Sequence, residues 1–384
     1  MRGKFLQSIL TGLLLFGLTA GIFLYTAGYR IGKDKNTNHV DITQTGMINV
    51  KSSPDGANVY LNGELKTATN GAISSLTPGT YSLRILKNGF VAWEKDIEVF
   101  SQLVTDITAI LVSQSPRLEP LTNTGARQPT ISPTLSKLAF FTKDGDTPGV
   151  WVIPLTGETL NLFRSSAYVV LEDAPGRIYS NGISIEWSPD EDELLVQGEN
   201  EGFYLVTLQN DSVISAANPD LIRKNWTNET TKKRLDFIEK LDIPDGLREI
   251  AVAPDTVWAP DGKKFLYRVT AGNTIEYHVF NMEKPIPVGE KVENVAFSID
   301  KNAKQPAVSW YADSFHLILV ETDKEVATRG MVSLVRIDGT NKVEVFNNNL
   351  YSDKVFSAPG GDKLILLTSF KSEGQTDLYT VGIR

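Results

Sequence analysis

Three histidines, His39, His278 and His316, are the side chains most able to exchange protons near neutral pH, and they lie far apart in the chain. A histidine becomes a general base or a metal ligand only beside a partner, and none of the three has another close in sequence. Cysteine is absent, which removes disulfides, thiolate metal sites, thiol nucleophiles and lipid-modified cysteine. No nucleophile elbow, P-loop or dinucleotide fingerprint occurs. The carboxylate runs Asp190-Glu191-Asp192-Glu193 and Asp144-Gly145-Asp146 lack the alternating oxygen spacing that calcium requires, and both read as solvated loops. We therefore expect no catalytic residue, no metal site and no cofactor, and a protein that is not an enzyme.

Recognition is the chemistry that remains. Trp93, Trp151, Trp187, Trp258 and Trp310 each stand in or beside short apolar runs and read as core. Trp226 stands in a polar stretch and reads as exposed, so Trp226 with Arg223 and Lys224 forms the candidate partner-binding set. Charge narrows the partner. The first 35 residues sum to +4 and the rest carry -12 of the total -8, a sign that repels phosphate backbones and disfavours nucleic acid.

The elements that must position these residues are set by a repeat. Five times a short apolar run enters a Ser-Pro-Asp-Gly-like turn and a second apolar run follows. The turns are Ser132-Pro133, Ser188-Pro189-Asp190, Ala259-Pro260-Asp261-Gly262, Tyr311-Ala312-Asp313 and Ala358-Pro359-Gly360-Gly361. A third apolar run comes within about ten residues each time, as in Val150-Trp-Val-Ile153 and Phe203-Tyr-Leu-Val206. Three or four such strands per unit, stacked radially, make the blades of a β-propeller over residues 113–384. Five blades are counted. The last lacks a fourth strand, which Arg117-Leu-Glu-Pro-Leu121 can supply to join both ends. A sixth blade stays open because 71 residues separate Pro189 from Pro260. Part of that excess reads as a helix over residues 229–241 capped by Thr227 or Asn228, within an insertion near 221–245 that projects from one rim.

Ahead of the propeller, residues 5–29 carry no charge. As a helix they span about 37 Å, enough to cross the hydrocarbon core. Thr26-Ala27-Gly28 would serve as a cleavage site, but the run exceeds the apolar region of a signal peptide, so a retained anchor over residues 1–29 is expected. A short cytoplasmic tail followed by one large folded region places residues after 35 outside the cytoplasm, with the cytoplasmic membrane as partner of residues 5–29. Residues 30–45 are polar and aperiodic, and read as a stalk.

Residues 46–112 alternate apolar and polar positions between turns such as Asn62-Gly63 and Thr77-Pro78-Gly79, which predicts a small β-sandwich of five to seven strands. The strings Gly46-Met-Ile-Asn-Val50, Ser53-Pro54-Asp-Gly56-Ala57-Asn-Val59-Tyr60-Leu61-Asn62-Gly63, Leu76-Thr-Pro78-Gly79-Thr-Tyr81 and Lys87-Asn-Gly89-Phe90 resemble a PEGA domain. Ala68-Thr69-Asn70-Gly71 departs from that family's Gly-x-Thr-Pro segment. The resemblance implies a non-catalytic extracytoplasmic module. The later repeats resemble TolB-type, WD40-like propeller units, and Ser188-Pro189-Asp190 and Ala259-Pro260-Asp261-Gly262 carry that likeness. Propellers of this kind also occur beside a serine-peptidase domain, for which no residues remain after the last repeat. The expected fold is thus all-β, with an apolar N-terminal helix, a PEGA-like sandwich and a propeller. The expected function is a membrane-anchored scaffold whose propeller recognises a protein or glycan. The alternatives are a structural spacer near the wall polymer, and a hydrolase working on a propeller face.

Overall fold

A computed structural model describes all residues except 1, 27, 34–39, 144, 156–166, 201, 210–211, 242, 323–328 and 371–374. Helix α1 (Arg2–Thr26) is continuous, and its segment Ile9–Thr26 is long and apolar enough to cross a membrane. Two strands follow, β1 (Tyr29–Lys33) and β2 (Val40–Gln44), paired antiparallel from Tyr29 opposite Gln44 to Lys33 opposite Val40. The segment expected as an irregular stalk therefore carries a ladder, because residues on both sides of 34–39 satisfy one another's backbone groups. His39 lies outside the described residues.

Seven strands build the small domain: β3 (Gly46–Ser53), β4 (Asn58–Leu61), β5 (Glu64–Ala68), β6 (Gly71–Leu76), β7 (Gly79–Leu86), β8 (Trp93–Val99) and β9 (Val104–Ile110). They form two sheets, ordered β6-β3-β9 and β5-β4-β7-β8. Alternation sends Ile48, Val50, Val59, Leu83, Ile85 and Trp93 into one core between them. Both central residues of the Asn62-Gly63 turn have positive φ, 50° and 84°, as a two-residue hairpin of the primed type requires. The loop that departs from the family pattern is anchored by buried Thr69. Its Oγ1 accepts the Ala57 N–H at 2.9 Å and lies 2.6 Å from Ser52 Oγ.

Among the described residues, the remaining chain forms five four-stranded antiparallel sheets. Strand β10 (Leu118–Pro120) comes first. The first blade is β11 (Arg127–Ile131), β12 (Lys137–Thr142), β13 (Gly149–Pro154) and β14 (Tyr168–Glu172); the second is β15 (Ser184–Trp187), β16 (Glu193–Gln197), β17 (Phe203–Thr207) and β18 (Ser212–Ser215). Two helices follow, α2 (Pro219–Ile238) and α3 (Asp245–Val252). The third blade is β19 (Val257–Trp258), β20 (Lys264–Ala271), β21 (Thr274–Asn281) and β22 (Glu293–Asp300); the fourth is β23 (Ala307–Trp310), β24 (His316–Thr322), β25 (Arg329–Arg336) and β26 (Val343–Asn349). The fifth has β27 (Phe356–Ser357), β28 (Lys363–Thr368) and β29 (Asp377–Gly382), completed by β10, with Leu118 opposite Val381. Early and late chain thus close the ring in one blade. Asp377 Oδ1 pins the junction by accepting from Thr122 Oγ1 and Gly125 N, each at 3.0 Å.

One backbone device explains the repeat. In every blade the residue opening the turn, Ser132, Ser188, Ala259, Tyr311 or Ala358, donates its N–H to the carbonyl five residues on, at 2.9–3.0 Å. Three residues after that opening position comes a left-handed residue: Leu135, Glu191, Gly262, Ser314 or Gly361, with φ between 58° and 66°. The bonds are backbone bonds, so the side chains are free to vary. That is why the motif is worn in sequence and intact in structure. Glycine relieves strain at this position in two blades; the other three hold a side chain there against a cost of about 1 kcal/mol or more.

Candidate functional site

The insertion differs from expectation in its start, extent and placement. Its helix begins nine residues before the expected cap, because Asn218 Oδ1 accepts the Leu221 N–H at 3.1 Å, Pro219 takes the first helical position and Asp220 faces the positive helix end. Thr227 and Asn228 are therefore interior residues of α2. The helix does not simply project from a rim, for its two halves brace two different blades.

Arg223 and Trp226, three residues apart, share the face of α2 that meets the second blade. The Arg223 guanidinium grips Glu186 on β15, with Nη2 at 2.7 Å and Nε 3.1 Å from both carboxylate oxygens, and its Nη1 reaches Asp220 at 3.2 Å. It also lies 5.0 Å from the Phe203 ring centroid. The half-buried Trp226 lies near Glu193 on β16, where its indole acts to lower that carboxyl. Burial and then the neighbouring Asp190 charge outweigh it and raise the Glu193 carboxyl above its usual value. At the other end Phe237 meets Trp258 edge-on and Arg234 covers the same indole, while Ile238 is buried with Phe265 and Met282 of the third blade. Burial lowers the Arg234 guanidinium from its ordinary value.

Trp187 and Trp310 end the first strand of their blades and donate their indole N–H to a carbonyl of the preceding blade, Thr130 and Val257 respectively. Trp258 holds the same position in the third blade, but its indole donates to Ala251 of α3 at 2.7 Å. The helix has taken the neighbour's place. This also accounts for the long interval that left a sixth blade open.

Of the expected set, then, Arg223 and Trp226 are half-buried against the second blade and Lys224 alone is exposed. Lys224 belongs to a stripe with Leu221, Asn228, Lys232 and Leu235, spaced three or four apart and all exposed, Leu221 by 52%. A helical stripe of apolar and cationic side chains is a surface suited to a partner rather than to bond-breaking.

The titratable groups are deployed differently. His278 Nε2 is 2.9 Å from Glu276 Oε2 and Nδ1 is 3.0 Å from Glu293 Oε1, so both ring nitrogens face carboxylates. The Tyr267 hydroxyl donates to the same Glu293 oxygen at 2.5 Å. Burial and that bond push the Tyr267 hydroxyl far up, and the Tyr267 bond leads in lowering Glu293. His316 Nδ1 contacts Asp313 at 2.6 Å within its own turn. The fully buried Lys264 is held by Asp261 at 2.7 Å and Glu283 at 3.1 Å. Among the described residues, no group of three or more histidines and carboxylates is disposed to hold a metal ion.

One expectation fails outright. Glu191 is not solvated: it is 6% exposed and accepts Thr134 N at 2.5 Å and Ser136 Oγ at 2.6 Å in the blade before it. The left-handed backbone at Glu191 aims its side chain at that blade, and Ser314 does the same in accepting Asp261 N at 3.1 Å. The turn position was visible in sequence, but the neighbour it reaches was not. Asp190 behaves as a turn residue, with its carboxyl lowered chiefly by the Ser188 hydroxyl. Asp144 lies outside the described residues.

No curated protein matches the chain. Among solved structures it is similar to TolB from Acinetobacter baumannii, with 13% identity, 79% of this chain and 59% of that one covered, and a TM-score of 0.27. It is similar to oligogalacturonate lyase from Vibrio parahaemolyticus, with 9% identity, 71% and 94% covered, and a TM-score of 0.28. The Cps50 (Swd1) β-propeller domain of Myceliophteria thermophila gives 11% identity, 70% and 85% covered, and a TM-score of 0.28. Likenesses this distant say nothing of activity, and the propeller stands on its own five sheets and their ring closure. Residues 45–114 match the PEGA domain family.

Proposed function

We propose that the chain is a membrane-anchored scaffold outside the cytoplasm, held by α1 and presenting its propeller and α2 to a protein or glycan partner. The apolar helix and the PEGA match support the location. The observation that carries the recognition role is the solvent-facing stripe Leu221, Lys224, Asn228, Lys232 and Leu235, on a helix whose other contacts hold it rigidly between two blades. A surface already held in place loses little conformational freedom on binding. The test is photo-crosslinking of the full chain in membranes, with a photoreactive residue replacing Lys224 or Asn228, and Glu344 as the control position. Discrete adducts at 224 and 228 but not at 344 are expected. Diffuse adducts with wall polymer at all three positions would identify a spacer instead. No adduct at 224 or 228 sinks the reading.

A further inference from the structure

The chain between α1 and the PEGA-like domain does not separate them. Sixteen extended residues could lift a domain about 50 Å. Instead the ladder of β1 and β2 folds back, and its base is closed where Thr45 N and Thr45 Oγ1 both donate to Gly28 O, at 2.9 and 3.0 Å. Gln102 N then donates to Thr45 O, and Met47 N to Leu103 O, both at 3.1 Å. The end of α1 and the first strand of the domain are thereby tied within two residues of one another.

This fixes the depth of that domain end. With α1 spanning the bilayer as proposed above, the 18 residues Ile9–Thr26 reach about 27 Å as a helix, close to the hydrocarbon thickness, which places Gly28 and Thr45 among the headgroups. The loops gathered there, residues 43–46, 76–79 and 99–105, contain no charged side chain, and the first ladder charges beyond them are Glu98 opposite Thr80 and Asp106 opposite Asn49. The opposite end carries Lys51, Asp55 and Lys87. At the uncharged end Leu103 is 47% exposed beside an exposed Val104, and a cavity of about 580 Å³ opens among Tyr25, Gly28, Thr45, Met47, Ser75 and Leu103. Uncharged loops with an exposed leucine can enter the interfacial layer without stripping water from ions.

We infer that this end of the PEGA-like domain is a membrane-docking surface, seated in the headgroup layer of a lipid bilayer with Leu103 as its apolar contact. The inference rests on the proposed anchoring by α1 and adds the placement of the domain. The absence of cysteine makes single-site labelling clean. The full chain is reconstituted in phosphatidylcholine vesicles containing a doxyl-chain phosphatidylcholine, with a fluorophore on Leu103→Cys, Ser75→Cys, Asn88→Cys or Phe16→Cys. Quenching severalfold stronger at 103 and 75 than at 88 is expected. Equal weak quenching at 103, 75 and 88, with 16 strongly quenched, overturns the docking surface and leaves the anchor standing. An unquenched label at 16 overturns the anchor and the docking surface together.

Discussion

Glu191 shows how much one residue of the repeat can hold. Its burial works against ionisation, yet the hydrogen bonds from Ser136 and Thr134 outweigh that and leave its carboxyl below the ordinary 4.5. A depressed folded-state pKa contributes stability that is fully present above the unfolded value and lost as pH falls through the folded one. Glu191→Ala should therefore lower stability by about 1–3 kcal/mol at neutral pH, since Thr134 N is left unsatisfied. The gap between variant and parent should narrow as pH drops below about 4.5, which denaturant titrations at several pH values would measure. Asp377 offers a second test. Asp377→Ala strips the acceptor from Thr122 and Gly125 at the ring closure and should cost about 2–4 kcal/mol, read as a lowered unfolding midpoint.

At the scale of elements, the helical insertion acts as a wedge. The third blade packs Leu266, Tyr277 and Val279 against the fourth blade, while Phe265, Tyr267, Phe280 and Met282 pack against α2 and α3. Replacing residues 219–252 with a short linker would uncover that second face, and the shortened chain is expected to aggregate, as light scattering would show. A finer probe is Trp258→Phe, which keeps an aromatic ring and removes the donor to Ala251 O. Faster amide exchange in α3, with blades one and five unchanged, is the expected result. Arg223→Ala should cost only about 0.5–1 kcal/mol, because its pair with Glu186 is partly exposed, and its effect should fall in high salt.

At the scale of the molecule, two units are joined in one chain: an N-terminal unit with α1 and the PEGA-like sandwich, and the propeller. The first is organised by a helix end and a sandwich tied together by backbone bonds. The second is organised by a turn repeated five times and closed by β10. In the propeller, Glu191, Lys264, His278 and His316 are each engaged by neighbouring side chains or backbone. The surfaces proposed for recognition are the solvent stripe of α2 for a partner and the loop end of the sandwich around Leu103 for lipid. A partner adduct at position 224 that is lost in the double variant Leu221→Ser, Leu235→Ser, with the unfolding midpoint unchanged, would assign recognition to that stripe.

Local rules determined much of this by themselves. Apolar runs of fixed length, Asn62-Gly63, the Pro-Asp-Gly turns and an uncharged stretch of 25 residues act over a few positions, and they announced the helix, the sandwich and the five blades, including the strand near Leu118 that closes the ring. Tertiary structure alone decided which polar groups meet. Glu191 and Thr134 are 57 residues apart, and Arg223 and Glu186 are 37 apart; nothing in either local string signals the partner. The same holds for the fold-back at residues 28–45, where polar composition read as a stalk and a Gly28–Thr45 closure made it a clasp. Secondary structure follows from neighbours in sequence, whereas burial and pairing of charge depend on which blade or strand comes to lie alongside.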